Sequence, residues 1–136
     1  MYKLIVFFFI IFISASCTSS KFSISERKEG FSKNNLRVFI RNQIPDEMDY
    51  VRAAKEFPEL SKQAADKRAV LLIFSKIFYD APNFTAFDDL QNEVKISLDT
   101  GKKINDECNE YYCEAVFDYD ITALITKLDK FWKQTN

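Results

Sequence analysis

Ten apolar residues in a row, Leu4 to Ile13 (LIVFFFIIFI), constrain this chain more than any other feature. The run is about half the roughly twenty residues that a helix needs to cross a hydrocarbon core. Lys3 precedes it, and the small residues Ser14, Ala15 and Ser16 follow, then Cys17. A charged start, an apolar centre and a small-residue end form the layout of a secretory signal peptide. The run is therefore expected to leave the folding chain, with an uncleaved membrane anchor as the alternative. Fourteen of the 64 apolar residues lie in 1–17, which leaves 50 of 119 to build a domain. That supply supports one hydrophobic core and one small domain.

Cys17 makes the address more specific. Ser14-Ala15-Ser16-Cys17 resembles the lipobox of bacterial lipoproteins, with Ser14 where that pattern usually carries Leu. The resemblance implies that the Cys17 thiol carries acyl chains such as palmitate, and that cleavage makes Cys17 the first mature residue. Each buried methylene adds roughly 0.8 kcal/mol, so several chains would hold the protein on a membrane. The expected location is the cell envelope, facing the periplasm or the cell surface, with a soluble secreted form as the alternative. Residues 18–35 (TSSKFSISERKEGFSKNN) have scattered apolar positions and many serines, and are expected to be a flexible tether ahead of a domain over 36–136.

Within that domain the fold class reads as α+β: helices on a short antiparallel sheet, closed by a C-terminal amphipathic helix. Leu36 to Ile40 suits a strand or a helix start. Pro45 fits a first helical position, with Asp46, Glu47 and Asp49 in the acidic first turn and Met48, Val51, Ala54 and Phe57 as an apolar face. Pro58 is expected to break the chain and restart it. Leu60, Ala64, Leu71, Phe74 and Phe78 then recur at helical spacing, although AVLLIF alone would also suit a buried strand. Phe84 to about residue 92 is expected to be helical and followed by a strand through Val94, Ile96 and Leu98. Gly101 would then take a left-handed position in a hairpin loop. A helix running on to Gly101 as its cap is the alternative.

The most regular alternation in the chain runs from Tyr111 to Ile121 and predicts a strand. Asp120 then suits an N-cap, with Ile121, Leu124, Ile125, Leu128, Phe131 and Trp132 in one stripe, Trp132 as a core anchor. The stretch Tyr119 to Phe131 is similar to the end of helical immunity proteins that neutralise secreted amidases. That resemblance implies an all-α alternative, in which 84–100 and 106–118 are helical.

With Cys17 taken by lipid, Cys108 and Cys113 form an even pair in an exported chain, which predicts a disulfide. On one strand, residues five apart face opposite sides about 16 Å from each other, so the bond requires Asn109 to Tyr112 to turn. Around this turn the charge is one-sided. No base lies between Lys103 and Lys127, while Asp106, Glu107, Glu110, Glu114, Asp118 and Asp120 all fall there. Residues 18–76 hold twelve bases and eight acids, and residues 77–136 hold six and twelve. Glu110, Tyr111, Tyr112, Glu114, Asp118 and Tyr119 are thus a candidate partner-binding surface, because tyrosine supplies contact area and carboxylates steer basic partners. A solvated acidic edge that blocks strand pairing is the alternative.

Chemistry has little material. The chain has no histidine, which removes Ser-His-Asp and Cys-His catalysis and every imidazole metal site. Two glycines cannot form a phosphate-cradling loop. Asp88 and Asp89 are adjacent and point apart, and Asn83-Phe84-Thr85 is a glycosylation sequon that matters only in a eukaryote. No catalytic residue, metal or cofactor is expected, and a net charge of −1 suggests no nucleic-acid partner. The expectation is an exported, lipid-anchored binding protein with a protein partner, of the immunity or inhibitor kind. A structural accessory lipoprotein of an envelope or secretion assembly is the alternative. The sequence does not specify an oligomeric state.

Overall fold

The element that organises the molecule is a helix the sequence divides in two. In the computed structural model, which describes residues 28–81 and 84–135, helix α1 runs unbroken over Tyr50–Asp80 with Pro58 inside it. The proline removes one intrahelical N–H and crowds the carbonyl four residues back, at a cost of about 3 kcal/mol. Tertiary burial outweighs that cost. Ala53, Phe57, Ser61, Ala65, Ala69, Ile73 and Ile77 form one ridge at four-residue spacing, all buried. The expected break at Pro58 is therefore corrected, and so is the expected face: Val51, Leu60, Leu71 and Phe78 are exposed. The ridge is small in its middle (Ser61, Ala65, Ala69) because the sheet opposite brings the bulk.

That sheet has four antiparallel strands in the order β1-β2-β4-β3. They are β1 (Gly30–Ser32), β2 (Asn35–Gln43), β3 (Lys102–Cys108) and β4 (Tyr112–Asp120). Leu36, Val38 and Ile40 of β2 and Cys113, Ala115, Phe117 and Tyr119 of β4 are buried in one core with the α1 ridge. The alternation read for 111–121 holds along this face. It fails on the other, where Glu114 and Val116 are buried as well. β1 falls inside the stretch expected to be tether. It pairs with β2 through a tight turn at Lys33 and Asn34, with Lys33 at φ 49°, so residues 30–35 belong to the fold and not to a spacer.

The start of α1 is also later than Pro45. Asp49 caps the helix by accepting the Arg52 N–H at 2.7 Å, and Pro45 to Met48 form a separate turn closed by a 2.9 Å bond from Met48 N to Pro45 O. After α1, a 3-10 turn over Phe87–Leu90 leads into α2 (Gln91–Asp99). The strand expected through Val94, Ile96 and Leu98 is instead this helix: Val94 is buried, and Ser97 is buried with its hydroxyl donated to Glu93 O. The chain turns at Gly101 into β3. The helix α3 (Thr122–Thr135) packs Ile121, Leu124, Ile125, Leu128 and Phe131 inward as its stripe requires. The side chain of Trp132 lies outside the described residues, as do Pro82 and Asn83 and all residues before Lys28.

Over the described residues the fold is thus a small single α+β domain with three α-helices and one four-stranded antiparallel sheet. The all-α alternative is excluded, because 102–108 and 112–120 pair with each other across a hairpin and with β2.

Candidate functional site

The β3–β4 hairpin gathers the features that the sequence singled out, but it sorts them onto different surfaces. Cys108 and Cys113 stand directly opposite each other in the ladder, with Cα atoms 4.0 Å apart and sulfurs at disulfide distance. The required turn is the three-residue tip Asn109-Glu110-Tyr111. Asn109 organises it: its side-chain oxygen accepts the N–H groups of Tyr111 at 2.8 Å and Tyr112 at 2.9 Å, and its own N–H donates to Tyr112 O at 2.9 Å. Asparagine suits this role because its short amide mimics a backbone turn. A third tie comes from outside the hairpin, where Ile44 N–H donates to Tyr111 O at 2.8 Å.

The tip therefore presents Glu110 and Tyr111, and Tyr111 is 72% exposed. Beside it lies a groove of about 400 Å³ lined by the end of β2, the Ile44–Met48 turn, Phe57 and Leu60 of α1, and Cys113. A smaller neighbouring depression of about 300 Å³ joins Pro45, Asp46 and Met48 to Glu110 and Tyr111. The Ile44–Met48 turn was not recognised from sequence as part of this surface. Pro45 there reads as a helix start, and only the sheet brings the turn against the hairpin tip.

The other predicted partner-binding residues lie elsewhere. Tyr112 is half-buried, with the Arg41 guanidinium 4.5 Å above its ring. Glu114 is 1% exposed and accepts from Arg41, its cross-strand neighbour on β2. Asp118 forms a two-pronged pair with Arg37 at 2.7 Å for each contact. Asp106 pairs with Lys103 at 2.6 Å, and Asp120 accepts from the Thr122 N–H and hydroxyl. Part of the lopsided charge in the sequence is met across the sheet. The basic front half supplies Arg37 and Arg41, the acidic back half supplies Asp118 and Glu114, and antiparallel pairing of β2 with β4 sets them face to face. Glu114 and Asp118 serve the sheet first, which corrects their placement on a free recognition surface.

Tyr119 is corrected outright. It points to the opposite face, into the core, and is 1% exposed. Its hydroxyl donates to Asp66 of α1 at 2.8 Å, and Lys62 pairs with the same carboxylate while its ammonium lies 5.5 Å from the Tyr119 ring. Burial first, and the Asp66 carboxylate second, push the Tyr119 hydroxyl far above an ordinary phenol. It remains a neutral hydrogen-bond donor that ties α1 to β4. The period-two pattern carried this signal: Tyr119 shares parity with Cys113, Ala115 and Phe117.

Gly101 sits against the same ring. A Cβ added there would lie 2.5 Å from Tyr119 Cε1 and 3.1 Å from Leu98 O. Its φ is not in the left-handed region, which Gly30 alone occupies among the described glycines. The glycine is required by close approach and not by the hairpin conformation expected for it.

Among the described residues, no group of three or more histidine, cysteine, aspartate or glutamate side chains is placed to hold a metal ion. The arrangement that remains is a disulfide-closed, hydrogen-bonded tip bearing one carboxylate and one exposed tyrosine beside a groove. No protein-family model, no curated protein and no solved structure matches this chain.

Proposed function

We propose that this chain is an exported, lipid-anchored binding protein that engages a protein partner through the Glu110–Tyr111 tip, as an immunity or inhibitor protein would. The observation that carries the reading is the immobilisation of the tip. Three independent ties hold three residues: the Cys108–Cys113 pair, the Asn109 side chain, and the bond from Ile44 N–H to Tyr111 O. A tip held this way loses little conformational freedom on binding, which lowers one of the costs of using a loop as an interface. Tyr111 supplies contact area of the kind that anchors protein interfaces, and Glu110 steers a basic partner. Cys17, behind Ser14-Ala15-Ser16, supplies the membrane attachment. The partner is a protein bearing a basic, concave site, and no nucleic acid is involved.

Affinity capture from detergent-solubilised membranes and culture supernatant tests this. A stoichiometric soluble partner lost on Glu110→Lys and Tyr111→Ala, with unchanged thermal stability, is the expected result. Capture of envelope-complex subunits instead would establish the accessory-lipoprotein role. Unchanged binding by both variants would remove the tip from consideration. Intact mass spectrometry reports cleavage before Cys17 and acyl chains on it.

A further inference from the structure

The solvent side of α1 poses a separate question. Between Asp66 and Asp80 the helix reads KRAVLLIFSKIFY, with three bases, no acid and apolar residues around its whole circumference. Helices apolar on every side are normally enclosed on every side. Here Ala69, Ile73 and Ile77 face the core, yet Leu71 is 61% exposed, Phe78 54% and Tyr79 89%. Phe78 stands on an aromatic base, because it and the half-buried Phe74 both pack on Phe87, with ring centroids 4.8 and 5.6 Å away. Lys67, Arg68 and Lys76 flank the patch, with Arg68 paired to Glu29 at 2.7 Å and Lys76 to Asp80 at 2.8 Å.

The same helix receives the incoming chain. Glu29, just before β1, accepts from Arg68 at 2.7 Å, and the Lys76 ammonium lies 5.3 Å from the Phe31 ring. The residues that lead back to Cys17 and the Leu4–Ile13 run therefore join the domain beside this patch. No helix among the described residues is long and apolar enough to cross a membrane.

We infer that the solvent face of α1 from Lys67 to Tyr79 is a bilayer-docking surface: Leu71, Phe78 and Tyr79 insert at the membrane interface, with Lys67 and the Arg68–Glu29 and Lys76–Asp80 pairs at the rim. Shallow insertion of an aromatic and aliphatic face is the chemistry of interfacial helices. What selects a lipid surface over a protein is the arrival of the membrane-directed chain at this flank, through Glu29 on Arg68 and Phe31 against Lys76. The patch is also remote from the tip. Phe57, beside the tip groove, and Phe78 are 21 residues apart on one helix, or about 31 Å, so a docked domain keeps Glu110 and Tyr111 free. The inference builds on the membrane attachment proposed above and adds a second, protein-borne contact.

The test uses the full chain bound to vesicles, with an environment-sensitive fluorophore on Ser75→Cys in the patch or on Thr126→Cys on α3. The identically treated parent serves as background. On phosphatidylcholine vesicles holding 30 mol% phosphatidylglycerol, the Ser75 probe is expected to shift to shorter wavelength and to be quenched by bromolipids. The Thr126 probe is expected to stay in water. Leu71→Gln/Phe78→Gln/Tyr79→Gln is expected to cut the Ser75 quenching at least about tenfold. Vesicle-bound protein whose Ser75 probe remains in water overturns the docking while leaving attachment intact. A chain that neither floats with vesicles nor carries acyl mass at Cys17 defeats the attachment reading instead. A Ser75 shift that grows with protein concentration in the absence of lipid identifies a second copy as the occupant and also overturns the proposal.

Discussion

Gly101→Ala tests the packing logic of this domain with a single methyl group. In a helix-to-strand turn with ordinary φ, replacing glycine by alanine should stabilise by about 0.4–1 kcal/mol, because the unfolded chain loses freedom. The structure reverses the sign. The new Cβ would sit 2.5 Å from Tyr119 Cε1, roughly an ångström inside van der Waals contact, and 3.1 Å from the Leu98 carbonyl. Neither neighbour yields easily: Tyr119 is fully buried and its hydroxyl is held by Asp66, and the carbonyl is backbone. Overpacking of this kind costs about 1–3 kcal/mol. Near the midpoint that lowers Tm by roughly 5–20 °C for a domain of this size. Circular dichroism melts and urea titrations measure it directly. A double-mutant cycle assigns the cause: in a Tyr119→Leu background most of the Gly101→Ala penalty should vanish, since the two residues are in direct contact. An alanine variant as stable as the parent, or more stable, would refute the close approach and return Gly101 to the role of an ordinary turn residue.

Two further expectations follow from the same geometry. Replacing both cysteines, Cys108→Ser with Cys113→Ser, reopens a six-residue loop and is expected to cost about 2 kcal/mol by the chain-entropy estimate; differential scanning calorimetry should show the lower Tm, and partner capture through the tip should weaken in parallel, whereas unchanged values in both assays would contradict a stapled tip. The Asp120 carboxyl is held below the usual aspartate range, first by the Thr122 hydroxyl and then by the Thr122 N–H; its contribution is therefore present above the unfolded aspartate pKa and lost as pH falls through the lower folded value. The Tm gap between parent and Asp120→Ala should thus be larger near about pH 7 than near about pH 2, and a gap independent of pH would show that the carboxylate charge does not matter there.

How much was legible beforehand varies by element. The strand over 112–120 and the helix over 122–135 announced themselves, because each carries one clean period over nine or more residues. The cysteine spacing demanded a turn at Asn109, and a turn is there. The α2 segment was legible only as an ambiguity, since Val94, Ile96 and Leu98 satisfy a strand period and Val94 and Leu98 a helical one. The site was legible in part. Glu110 and Tyr111 are presented to solvent as their types suggested, whereas Glu114, Asp118 and Tyr119 are held by Arg41, Arg37 and Asp66, partners 53 to 81 positions away in the chain.

By itself, then, the sequence favoured an α+β class and determined the local elements with a single strong period and the turn between the two cysteines. These rest on interactions between near neighbours, and neighbours are what a sequence displays. Tertiary structure alone decided that Pro58 lies inside one long helix, that a ridge with alanine and serine at its middle faces the sheet while Leu60, Leu71 and Phe78 face out, and that Arg37 and Arg41 meet Asp118 and Glu114 across β2 and β4. Each of these outcomes depends on which strand or helix lies opposite. Only the assembled sheet supplies the burial that offsets the proline, the bulk that fits the small ridge, and the register that sets arginine against carboxylate.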